Sequence, residues 1–142
     1  MSDFSEQQKQ LKIQKCIRKV EDDIVYAIEE ALKNKSSYGD LQESQFRNLV
    51  RVADTTESVR VVKNFLLYQV GRDKKWGQGK NSLAQRIIND IDEKISNLAE
   101  DIRRDVDGSK DDLNLICIEL TRRYLGYGAR YLVYENKGKS NF

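Results

Sequence analysis

The chain has 142 residues, a formal net charge of +2 and 34% charged side chains, with two cysteines and no histidine. That length suits one domain around a single modest core. Without histidine there is no imidazole base, no Ser-His-Asp or Cys-His pair and no His-containing zinc site, and two cysteines cannot supply four thiolates.

Proline is absent, and no run of roughly 18 or more apolar residues offers a membrane span. The opening MSDFSEQQKQLKIQ lacks the apolar core of a secretory signal. Cys16 and Cys117 fall on apolar stripes, which reads as small buried hydrophobes in a reducing cytoplasm. The spacing of apolar residues predicts an all-α, single-domain bundle of five helices, over 5–35, 43–53, 57–71, 82–105 and 110–135, with 136–142 a frayed tail.

The first helix carries a narrow stripe of Ile13, Cys16, Ile17, Val20, Ile24, Ala27, Ile28, Ala31 and Leu32, suited to packing on another helix. NKSSYGD, Asn34 to Asp40, breaks it. The second helix starts near Gln42 to Ser44 and presents Phe46, Leu49, Val50 and Ala53. Asp54-x-x-Glu57 then has the arrangement of a capping box for the third. There Val59, Val62, Phe65, Leu66, Gln69 and Val70 form a face that Val61 and Tyr68 widen, which predicts a central helix ending at a left-handed Gly71.

RDKKWGQGK, Arg72 to Lys80, is polar and aperiodic. It superficially resembles a phosphate-binding loop, but the Walker pattern needs glycine at Lys74, Ser or Thr at Asn81, and a preceding strand. Ser82-x-x-Gln85 opens the fourth helix, whose seam is Leu83, Ile87, Ile91, Ile95, Leu98 and Ile102. DVDGSKDD is a turn: as a calcium loop it would put Lys110 where glycine belongs. Ser109-x-x-Asp112 opens the fifth helix, with Leu113, Ile116, Leu120, Tyr124, Tyr127, Tyr131 and Tyr134 along one side. Gly126 and Gly128 each weaken that helix by roughly 1 kcal/mol relative to alanine. They therefore imply either the close approach of a neighbouring helix or a kink. Among the carboxylates of the fourth helix nothing singles out a magnesium pair, so no metal or other cofactor is expected and catalysis has no candidate.

The charge is segregated. Residues 1–20 balance at +3, 21–43 at −5, 44–80 at +5, 81–121 at −5 and 122–142 at +4. The basic groups are Lys12, Lys15 and Lys19; Arg47 and Arg51; Arg60 and Lys63; Arg72, Lys74, Lys75 and Lys80 around Trp76; and Arg122, Arg123 and Arg130 among the tyrosines. Cations that track phosphates, mixed with rings that stack on bases, suit single-stranded nucleic acid. The same charges would equally pair with acidic faces of this chain or a neighbour. An acidic face meeting a basic one head to tail also favours self-association in series. Trp76 lies off any apolar stripe, so it either covers the bundle end or stacks on a base or partner.

SQFRNLVRVADTTESVRVVKNFLLYQVGR and ICIELTRRYLGYGARYLVYE resemble the small subunit of type III CRISPR–Cas effector complexes, in size, helical build and aromatic-rich last helix. The resemblance implies a subunit without catalytic residues of its own. It implies several copies stacked beside the backbone of the complex, touching guide and target RNA and other effector subunits through basic patches, largely without sequence preference. It does not extend to the loop RDKKWGQGK. The rival expectation is a helical adaptor or scaffold that binds protein alone.

Overall fold

The computed structural model describes residues 2–142, with side chains from residue 4 onward, and these contain helices and turns but no strand. The chain is an all-α bundle. Its helices are α1 (Ser2–Lys33), α2 (Glu43–Thr55), α3 (Val59–Arg72), α4 and α5 (Lys110–Val133). Helix α4 is continuous through Leu83–Asn89, a π-helical segment Asp90–Ile95, and Ser96–Asp105. Among the described residues no helix is long and apolar enough to cross a membrane.

Helix α5 is the axis. It packs along α1 and α2 and against the later half of α4, whereas α3 rests on α2 and the start of α4. The expectation that α3 is central is therefore corrected. It buries only Val62, Leu66 and Gln69, while α1 buries Ile13, Ile17, Ile24, Ala27, Ile28, Ala31 and Leu32. Each such Ile or Leu contributes about 1.5–3 kcal/mol on leaving water. An outer helix needs only one buried stripe, and the surplus apolar residues of α3 (Val61, Leu67 and Tyr68) face solvent.

The two glycines of α5 differ in kind. A Cβ on Gly128 would lie 2.7 Å from Phe46 Cζ and 2.8 Å from Ile28 Cγ1, so α2 and α1 press on α5 there. Gly126 faces open space. Close approach, by side chains, explains the first, and the helix runs unbroken through both.

The π segment has a cause in the spacing of the seam. Leu83, Ile87, Ile91, Ile95 and Ala99 are all buried and follow one another every four residues. On an α-helix each such step overshoots a turn by about 40°, so four steps would carry the seam around the helix. A wider turn at Asp90–Ile95 keeps the residues on one side.

Several ends differ from expectation. Helix α3 is capped by Ser58, whose Oγ accepts from the Val61 N–H at 3.3 Å, in place of the box expected at Asp54 and Glu57. It runs through Gly71 to Arg72, because the Asp73 N–H finds the Gln69 carbonyl without a left-handed residue. The left-handed glycines are Gly77 and Gly79. A Cβ on Gly77 would fall 2.0 Å from the Ser37 carbonyl oxygen. Ser109 and Asp112 do form the reciprocal box, at 2.8 and 3.1 Å. Cys16 and Cys117 are free and half-buried against the core.

The tail expected to fray instead continues α5 as a π turn, Tyr134–Gly138, and a short turn, Lys139–Asn141. Buried Glu135 anchors it, 3.0 Å from Lys139 Nζ and 3.6 Å from Lys35 Nζ. Burial pushes the Glu135 carboxyl up, but Lys139, Tyr131 and Lys35 outweigh that and hold it below the usual range. The Asn136 side chain donates to the Leu41 carbonyl at 3.0 Å, stitching the tail to the α1–α2 connection. Gly128→Ala should cost about 1–3 kcal/mol by overpacking, while Gly126→Ala should be neutral or stabilise by up to about 1 kcal/mol. Urea denaturation of the two variants checks the contrast, and equal effects would contradict this packing.

Candidate nucleic-acid interface

The basic residues singled out in the sequence do not gather at one site. They divide into those the fold consumes and those it displays. Arg122 is consumed: its Nε donates to the Ala53 carbonyl and its terminal nitrogen to the Thr56 carbonyl, each at 2.8 Å. These are acceptors at and just beyond the last turn of α2, which a guanidinium satisfies as a C-terminal cap. Arg123 is held by Glu21 and Glu119, both at 3.1 Å, beside a Tyr127 hydroxyl that donates to Glu21. Both arginines are corrected from candidate RNA contacts to ties between helices.

Trp76 is corrected as well. It is 0% exposed, its ring centroid 5.5 Å from that of Phe46. Its carbonyl accepts from the Ala84 N–H, and the neighbouring Lys75 carbonyl from the Gly39 N–H, both at 3.0 Å. Trp76 therefore closes the end of the core and cannot stack on a base while the bundle is folded. Lone aromatics in polar loops give no periodic signal, so the sequence left both outcomes open.

The tyrosines of α5 are also internal first. Tyr124 is fully buried and donates to Asp90 Oδ2 at 2.7 Å, and Arg86 Nε lies 3.1 Å from the same oxygen. Burial pushes the Tyr124 hydroxyl well up, and the carboxylate adds to it. Arg130, one turn after Tyr127, lies exposed with its guanidinium 5.9 Å from that ring.

On α2, Arg47 is exposed but paired with Glu43 at 2.6 Å, and Arg51 is exposed and bonded to Asn48 at 3.1 Å. On α3, Lys63 meets Asp92 at 2.6 Å, which fixes the edge of that helix facing the π segment. Beside this pair lies a cleft of about 400 Å³ lined by Arg60, Asp92, Glu57 and Cys117 among others, carrying both signs of charge.

The opposite edge of α3 carries a feature the sequence reading missed. Val61, Phe65, Tyr68 and Arg72 recur at four, three and four residues, on a line about 140–180° around from Lys63. Phe65 and Tyr68 have centroids 6.0 Å apart, and the Arg72 guanidinium sits 5.6 Å from the Tyr68 ring. Tyr68 is 56% exposed, and Val61 and Arg72 are exposed with it. The result is a ladder of ring, ring and guanidinium whose first ring, Phe65, is half-buried against the core and whose Tyr68 and Arg72 are open to solvent. The signal was present as spacing, but it looked like more core. Arg51, Arg60, Arg72, Lys74, Lys75 and Arg130 make no ion pair with a carboxylate of the described residues.

Replacing Arg122 with alanine should lower stability by about 1.5–3 kcal/mol, the worth of charged hydrogen bonds to carbonyls. Replacing Arg72 should change it by no more than about 0.5 kcal/mol. Thermal and urea unfolding of the two variants would separate them, and an unaffected Arg122→Ala would refute the capping role. Comparison with protein families, with curated proteins and with solved structures finds no match for this chain.

Proposed function

We propose that the protein is a non-catalytic, RNA-binding subunit of a multi-protein ribonucleoprotein, holding single-stranded RNA with little sequence preference. The observation that carries this is the Phe65–Tyr68–Arg72 ladder on α3, half-buried at Phe65 and exposed at Tyr68 and Arg72, next to cations that no carboxylate of the described residues pairs. Rings of this kind accept any base on their faces, and free guanidinium and ammonium groups take phosphates, so the chemistry is indifferent to sequence. Arg60 and Arg72 on α3 and Lys74 and Lys75 just after it supply the cations, with Arg51 on α2 and Arg130 on α5 as outlying contacts.

The resemblance to type III CRISPR–Cas small subunits supplies the setting: copies in series in the cytoplasm beside other effector subunits, along guide and target RNA. Alternating basic and acidic blocks suit such stacking. A second reading, a protein-only adaptor, draws on Leu67, 57% exposed on the outer side of the same helix.

Fluorescence anisotropy with several unrelated single-stranded RNAs distinguishes the two. The RNA reading expects similar affinities and binding that falls steeply as salt rises. Tyr68→Ala and Arg72→Ala should each weaken binding by about 1–3 kcal/mol with the unfolding midpoint unchanged. Absence of binding at low salt would favour the adaptor, and binding indifferent to both variants would refute the ladder as the RNA contact.

A further inference from the structure

At the end of the bundle where α1 stops, the turn after it and the loop before α4 enclose two adjoining hollows of about 240 and 290 Å³. Ser37 and Asn81 line both, so the two read as one bent groove. Lys80, Arg86, Asn34 and Asn89 face the first, and Lys74 and Gln78 the second. No carboxylate lines either hollow. The nearest ones in sequence are occupied. Asp90 takes Arg86 and the Tyr124 hydroxyl, Asp40 accepts from Gln42, and Asp73 from the Lys75 N–H.

Two of the lining amides have their oxygens engaged, while those of Asn81 and Gln78 can turn either end to the groove. Asn34 Oδ1 accepts from Ser36 Oγ at 2.7 Å, and Asn89 Oδ1 from Gln85 Nε2 at 2.9 Å, so each amide is left with its NH2 group free. Lys74 and Lys80 are exposed and make no ion pair with a carboxylate of the described residues. Several donors and two free ammonium groups without an acceptor of matching charge are complementary to an oxyanion. The walls are held in place. Buried Trp76 and the Gly39–Lys75 backbone bond fix the loop against the turn, and Gly77 lies too close to Ser37 for any side chain.

We propose that this groove binds a phosphoryl group, as a free nucleotide or as the backbone of an RNA strand. Lys80 and Lys74 supply the charge, and the Asn34 and Asn89 amides supply directed donors. The groove shares Lys74 with the cations beside the aromatic edge of α3, but neither ring of that edge lines it, and it does not rest on the reading given to that edge.

Titration of the full-length protein, followed by its amide NMR resonances, tests the assignment with inorganic phosphate, 5′-AMP and decauridylate as probes. Saturable shifts on the Asn34 and Asn89 side-chain amides and on Lys80 and Asn81 are expected. Lys80→Glu should weaken them about tenfold or more while the rest of the spectrum keeps its dispersion. Tighter binding of decauridylate than of 5′-AMP assigns the groove to the polymer, and the reverse assigns it to a free nucleotide. Shifts that follow ionic strength alike for phosphate and chloride, or an affinity unmoved by Lys80→Glu, would overturn the proposal. Tyr68→Ala should leave this titration unchanged, so the groove and the α3 edge fail separately.

Discussion

The missing side chain at position 128 sets the spacing of the bundle. Because α5 has only a hydrogen there, Ile28 of α1 and Phe46 of α2 reach its backbone from two sides. Phe46 in turn carries Trp76 against its ring, and Trp76 anchors the loop between α3 and α4. One contact thus runs from the central helix to a basic loop that the amino-acid pattern gives no reason to consider ordered. A methyl group at the glycine would push on Phe46 and, through it, on the lid of the core.

Around that contact the polar groups act as ties. Tyr124, Asp90 and Arg86 link α5 to α4, and Arg86 reaches the Ala27 carbonyl of α1 at 3.4 Å. Arg122 ties α5 to the end of α2, and Arg123 ties it to Glu21 of α1. Asn136 and Glu135 secure the C-terminal turn to the connection between α1 and α2. Buried or partly buried pairs of this sort add modest net stability, but removing one partner leaves a desolvated charge. Their value lies in register: each fixes which turn of one helix meets which turn of the next. The exposed groups then stand on a scaffold that holds them in place.

Much of the fold was legible because apolar residues repeat at helical spacing, and Ser109 with Asp112 announced a helix start that the structure shows. The expectation of one regular helix over 82–105 misses the π segment, although successive four-residue steps from Leu83 to Ala99 cannot stay on one side of an ordinary helix. The order of the helices in space was not legible. A helix that is apolar on most sides reads as central, yet α3 shows Val61, Leu67 and Tyr68 to solvent. For the site the difficulty was of another kind. An arginine has the same letter whether it caps a helix, as Arg122 does, or stands free, as Arg72 does. Only the placement of backbone carbonyls and carboxylates decides between those fates, and that is tertiary information. Trp76 was ambiguous for the same reason.

Trp76 is a closed part of the core and makes the basic loop a fixed wall. Because it is the only tryptophan of the chain, its fluorescence reports on that burial without a label. The native protein should show blue-shifted emission, little quenching by acrylamide, no change when RNA is added, and a red shift that coincides with global unfolding. Emission at the position of a solvated indole, ready quenching in the native state, or quenching by RNA would contradict it.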